Sequence, residues 1–100
     1  MKVEVKNLEI LRNKFSNRIL GFVCDLYIDS KRAAWTDVNF NNEQMVDIRP
    51  IDGAESLINE ARDYFRSQPK VRDERYNYEY QPTLDSEIIR LVKEEIKGKI

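Results

Sequence analysis

The apolar residues of this chain recur at every second position in the first half and at every third or fourth position in the second. Leu20, Phe22, Cys24, Leu26 and Ile28 share one phase, while Asp25, Tyr27 and Asp29 share the other. Side chains alternate across a strand, so this run predicts a strand over residues 18–29 with one dry face and one free face. Upstream, Val3 and Val5 alternate with Lys2, Glu4 and Lys6, and Leu8 and Ile10 resume in a shifted phase after Asn7. That slip predicts a bulged strand, followed by a polar loop over residues 12–17. A third strand runs through Trp35 and Val38 to Phe40, and Asn39, Asn41 and Asn42 mark a turn. A short fourth strand over residues 45–49 leads into Pro50.

Helical spacing takes over at Leu57, Ile58, Ala61, Tyr64 and Phe65. Asp52 with Glu55 three residues on predicts a capping box at its start, and Gln68-Pro69 predicts its end. Residues 70–81 are polar apart from Val71 and the tyrosines Tyr76, Tyr78 and Tyr80, and read as an irregular crossing or a short fifth strand. Thr83, after Pro82, caps a second helix with Leu84, Ile88, Leu91, Val92 and Ile96 on one stripe and Gly98 as its stop. Strands first and striped helices after predict one α+β domain over residues 1–100. An antiparallel sheet of four or five strands carries two helices on one face, in the order ββββ-α-(β)-α.

The hairpin register decides what the free face displays. A three-residue loop over residues 30–32 pairs Asp29 with Ala33, Tyr27 with Trp35 and Asp25 with Asp37, and sets Ile28 with Ala34, Cys24 with Val38 and Phe22 with Phe40 on the core side. A two-residue loop instead places Asp37 beside Cys24 on the core side, where a carboxylate is costly, so the first register is expected. Two carboxylates then oppose each other across a strand pair, which calls for a nearby Arg or Lys, a raised pKa or a bound cation.

Composition narrows the chemistry. Seventeen basic and eighteen acidic residues leave a net charge of -1, without the basic excess that drives phosphate binding. There is no histidine, which removes Ser-His-Asp and Cys-His catalysis and histidine metal sites. Cys24 is the lone cysteine, so no intrachain disulfide forms, and with no secretory leader in view a reducing, cytoplasmic setting is expected. No apolar run approaches the ~20 residues of a membrane span. None of the three glycines belongs to a phosphate-cradling loop, and no cofactor or metal is expected.

Two groupings remain. Tyr27 and Trp35 place an aromatic pair on the outer face, which suits a protein anchor or packing against the chain's own segment from Tyr76 to Tyr80, while Asp25 and Asp37 suit an acidic site or a plain solvated face. Tyr76, Tyr78 and Tyr80, with Lys70, Arg72 and Arg75 before them, interleave rings with bases in the manner of single-strand stacking, although Asp73, Glu74 and Glu79 dilute the positive field.

The run FVCDLYIDSKRAAWT, continued by VNFNN and DIRPIDG, resembles small, mostly uncharacterised proteins of phages and mobile elements. The likeness covers about a third of the chain, and Asn41 and Asn42 stand without the glycine that this family's loop carries. It implies no settled activity and transfers no residue roles. It does imply a small accessory protein that binds a host protein. The expected function is therefore non-enzymatic protein–protein interaction, as an inhibitor of a host defence or host enzyme, with a homodimer as a further option. The alternatives are a nucleic-acid module built on the tyrosine segment and a metal-dependent nuclease built on Asp25, Asp37 and Asp47.

Overall fold

A computed structural model of the chain describes residues 1–39, 45–75 and 77–98. Phe40, Asn41, Asn42 and Tyr76 lie outside these residues. The described elements are β1 (Val3–Arg12), β2 (Ile19–Ile28), β3 (Lys31–Asn39), β4 (Met45–Pro50), α1 (Glu55–Arg66), β5 (Val71–Asp73), β6 (Tyr78–Tyr80) and α2 (Leu84–Lys97). The first four strands form one antiparallel sheet in chain order, and β5 and β6 form a separate two-stranded antiparallel sheet. The fold is α+β.

The phase slip in β1 is a bulge. Lys6 pairs with Asp25 and Glu9 with Val23, so Asn7 and Leu8 together oppose a single residue of β2. Asn7 takes up the extra residue at φ 56°, a left-handed conformation that asparagine tolerates better than most residues. Val5 and Leu8 both reach the core in consequence, although three residues separate them.

The β2–β3 hairpin differs from expectation. Its loop has two residues, with Ile28 pairing with Lys31 across Asp29 and Ser30. Both loop residues have positive φ, 49° and 68°, the signature of a type I′ turn whose twist suits a hairpin. The ladder then slips by one: Tyr27 pairs with Arg32 and Leu26 with Ala34, leaving Ala33 as the bulged residue. Beyond it Asp25 pairs with Trp35, Cys24 with Thr36, Val23 with Asp37 and Phe22 with Val38. The expected pairs Tyr27–Trp35, Asp25–Asp37, Asp29–Ala33, Ile28–Ala34 and Cys24–Val38 therefore do not form. The physical reason is the bulge. It restores the phase that a two-residue loop loses, so Asp37 stays off the core side without a third loop residue.

A second correction concerns the start of α1. Its N-cap is Ala54, with no side-chain cap hydrogen bond. Asp52 belongs to the preceding turn, in which the Ala54 N–H donates to the Ile51 carbonyl at 3.0 Å and Gly53 sits at φ 84°. That is a type II turn, where glycine takes the third position because it needs positive φ. By contrast, Thr83 caps α2 as expected. Its Oγ1 accepts from the Ser86 N–H at 3.0 Å while Ser86 Oγ accepts from the Thr83 N–H at 2.9 Å, an arrangement that contributes about 0.5–2 kcal/mol.

The core lies between one face of the large sheet and the two helices. Val5, Leu8, Phe22, Cys24, Leu26, Ile28, Ala34 and Val38 meet Ile58, Ala61 and Phe65 of α1 and Leu84, Ile88 and Val92 of α2. Gln81, just after β6, ties the small sheet's end to the end of α1, its Nε2 donating to the carbonyls of Phe65 (2.9 Å) and Gln68 (3.0 Å). Both helices thus serve one side of the large sheet, and no other described element covers its second side.

Candidate functional site

Residues paired across adjacent strands share a face, so the register lays the open side out in rows. From the type I′ turn downward the rows are Glu4–Tyr27–Arg32, Lys6–Asp25–Trp35–Arg49, Glu9–Val23–Asp37–Asp47 and Leu11–Gly21–Asn39. Trp35 stands near the centre and is 57 % exposed. This is an unusual amount of bare indole for a residue in the middle of a sheet.

Tyr27 and Trp35 do not meet. Each ring instead carries a cation: Lys6 Nζ lies 4.4 Å from the Tyr27 ring centre and the Arg32 guanidinium 5.1 Å from that of Trp35. Asp25 is the most enclosed carboxylate of the face, with 14 % of its side chain exposed. It accepts from Asn7 Nδ2 at 2.8 Å and from Arg32 Nη2 at 3.2 Å. The like-charge opposition expected of Asp25 and Asp37 occurs one strand further on, between Asp37 and Asp47. The compensating cation is Arg49, whose Nη2 lies 3.3 Å from Asp37 and whose Nε lies 3.1 Å from Asp47. The alternation of the strand had already revealed Tyr27 and Asp25 as outward residues. Arg32, Arg49 and Asn7 were missed, because which cation answers which carboxylate depends on a register altered by two bulges.

Among the described residues no three Asp, Glu or Cys side chains gather closely enough to hold a metal ion. Asp25 turns to Asn7 and Arg32, while Asp37 and Asp47 share Arg49. The carboxylates are engaged in ion pairs rather than converging on one point, as metal-assisted chemistry requires.

Cys24 lies beneath this face, buried in the core. Burial, with a smaller contribution from the negative charges of Asp25 and Asp37, pushes its thiol up to about 11 from a usual 9.0. A raised thiol pKa means that the unfolded chain releases the proton first as pH rises. The stabilisation from keeping Cys24 protonated is therefore complete below pH 9.0 and lost progressively toward pH 11. Relative to Cys24→Ala, the native chain should lose stability with a limiting slope of about 1.4 kcal/mol per pH unit in that window. Denaturant melts at pH 8, 9, 10 and 11 measure it, and parallel pH profiles for the two chains would refute it.

The tyrosine segment forms a second surface. Tyr78 and Tyr80 lie on one side of β6, with ring centres 6.0 Å apart, and both are exposed. Two grooves flank Tyr80 and share Ser86 and Arg90. One, of about 590 Å³, includes Tyr64, Phe65, Val71 and Pro82. The other, of about 640 Å³, includes Arg75, Tyr78, Ile89 and Lys93. Arg90 is held by Glu87 and Glu94, and the Arg72 guanidinium bonds the Asn77 side chain. Lys70 lines the first groove and Arg75 the second. No helix among the described residues is long and apolar enough to cross a membrane.

No family model matches this chain, and neither the curated proteins nor the solved structures give a match.

Proposed function

We propose that this chain is a non-enzymatic binding protein that works through protein–protein contact at the open face of its large sheet. The observation that carries this reading is the exposed indole of Trp35, set in a face that no helix covers and ringed by ion-paired carboxylates. An aromatic anchor inside a charged rim is the usual anatomy of a protein interface. Asp25 and Arg49 flank Trp35 on the register, Tyr27 and Asp37 stand one row to either side, and the Asp37–Arg49–Asp47 bridge supplies a polar border. The resemblance of the hairpin to phage and mobile-element proteins supports the finer form of the proposal, an accessory protein that occludes a host protein.

Trp35→Ala tests it. The indole is exposed, so the variant should melt within about 0.5 kcal/mol of the native chain. Loss of an anchor of about 2 kcal/mol should weaken capture of a partner from a lysate of the cell of origin roughly thirtyfold. Equal capture by both chains would sink the proposal.

A second reading draws on the groove of Arg75, Tyr78, Tyr80, Arg90 and Lys93, which also holds Asp73. Its paired rings and three cations suit stacked bases and phosphates of a single strand. If it holds, labelled oligo(dT) should bind in fluorescence polarisation, weaken steeply between 50 mM and 200 mM salt, and be lost in Tyr78→Ala. Absent or salt-independent binding removes it.

A further inference from the structure

The charges on the open face are arranged by row. The row through Asp25 and Trp35 ends in a cation on both outer strands, Lys6 on β1 and Arg49 on β4. The next row, through Val23, ends in an anion on both, Glu9 on β1 and Asp47 on β4. Such a face is complementary to itself under one twofold operation. A twofold axis lying in the face, perpendicular to the strands and midway between these rows, keeps each strand over its own counterpart and exchanges the rows. Lys6 then meets the second copy's Glu9, and Arg49 meets the second copy's Asp47, each contact occurring twice. An axis along the strands would instead set Lys6 against the second copy's Arg49 and Glu9 against its Asp47, both repulsive.

The shape of the face agrees with the same axis. Exchange of the two middle rows also exchanges the outer ones, so Tyr27 lies over the second copy's Gly21. Gly21 has no side chain, and it lines a dip of about 280 Å³ with Leu11, Leu20, Phe22, Asp37, Val38 and Asn39. The protruding Tyr27 ring thus faces a recess, while each Trp35 lies over the second copy's Asp37, one row along β3 from the second copy's Trp35. Four strands about 4.8 Å apart and some 30 Å long offer roughly 600 Å² per copy, near 1,200 Å² in total, at the lower end for a specific interface.

We propose that the open sheet face is a homodimer interface, in which two copies pack face to face about this axis. The proposal rests on reading the face as a protein–protein interface, and it names a second copy of this chain as the occupant.

Sedimentation equilibrium over a wide concentration range, with the charge-reversed variants Lys6→Glu and Glu9→Lys and the chain carrying both, tests it. The native chain should show a monomer–dimer equilibrium. Each single reversal should raise the dissociation constant about tenfold, and the double reversal should restore it, because the opposed charges are again unlike. Both side chains are exposed, and circular dichroism verifies that each variant is folded. A second readout needs no variant. The chain has one tryptophan, so acrylamide quenching of its fluorescence should fall as dimer forms. A chain that stays monomeric at millimolar concentration overturns the proposal, as does a dimer indifferent to both single reversals. If such a chain still captures another protein through Trp35, the interface reading stands and only the second copy falls. If Trp35→Ala leaves capture unchanged as well, both fall.

Discussion

Leu26→Ala is expected to destabilise the fold by about 2–5 kcal/mol, toward the upper end of that range. Leu26 is completely buried, on a central strand between Val5 of β1 and Ala34 of β3. Truncation removes the transfer free energy of its side chain and leaves a void, and the size of the penalty depends on how well the neighbours close in. Here they have little to close with. Ala33 and Ala34, both fully buried, carry single methyl groups that cannot rotate into the space. For a chain of this size each kcal/mol lowers the melting temperature by about 4–8 °C, so calorimetry should resolve the change easily. A measured loss below about 1 kcal/mol would show that the centre of the sheet is not packed as described.

Gly21→Ala should be nearly as damaging, for the opposite reason. A methyl carbon on Gly21 would lie 2.3 Å from the carbonyl oxygen of Val38. The obstacle is backbone of the adjoining strand rather than a side chain, so β2 and β3 must separate for the methyl to fit. Overpacking of this kind costs about 1–3 kcal/mol and sometimes more. Gly98 is the natural control. It stands at φ -79° at the end of α2, where the nearest atom to an added methyl is the Glu95 carbonyl at 3.6 Å, and Gly98→Ala should be close to neutral. Denaturant melts of the two variants give the comparison. Equal effects at both positions would mean that β2 and β3 do not approach as closely at Gly21 as described.

How far the chain could be read in advance varies from element to element. The bulge in β1 was legible because it leaves a mark on the pattern: Val5 and Leu8 are three apart where two was expected. The bulge at Ala33 leaves none, since the successive alanines Ala33 and Ala34 suit either phase, and a regular ladder was the wrong assumption. Asp29 and Ser30 carry no glycine or asparagine to announce a type I′ turn. Asp52 looked like a helix cap because Glu55 follows at the right distance, but Gly53 demands a type II turn that uses up the intervening residues. Thr83 was readable because nothing after it competes for its hydroxyl. At the site, strand alternation sufficed to place Tyr27 and Asp25 outward. The partners of Trp35, Asp37 and Asp25 follow from register, which pattern alone does not determine when two extra residues are inserted into neighbouring pairs.

The left-handed kink at Asn7 has a further consequence. β1 and β4 are the borders of the large sheet, and each is a poor template for another strand. β1 is interrupted midway and carries Lys6 beside the interruption, while β4 is six residues long and ends in a proline. Sideways stacking of sheets into a growing fibre is thereby discouraged at both ends. Association through the broad side under a twofold operation stops at two copies. The same asparagine that steers Leu8 into the core thus helps to keep a chain with an exposed sheet from polymerising.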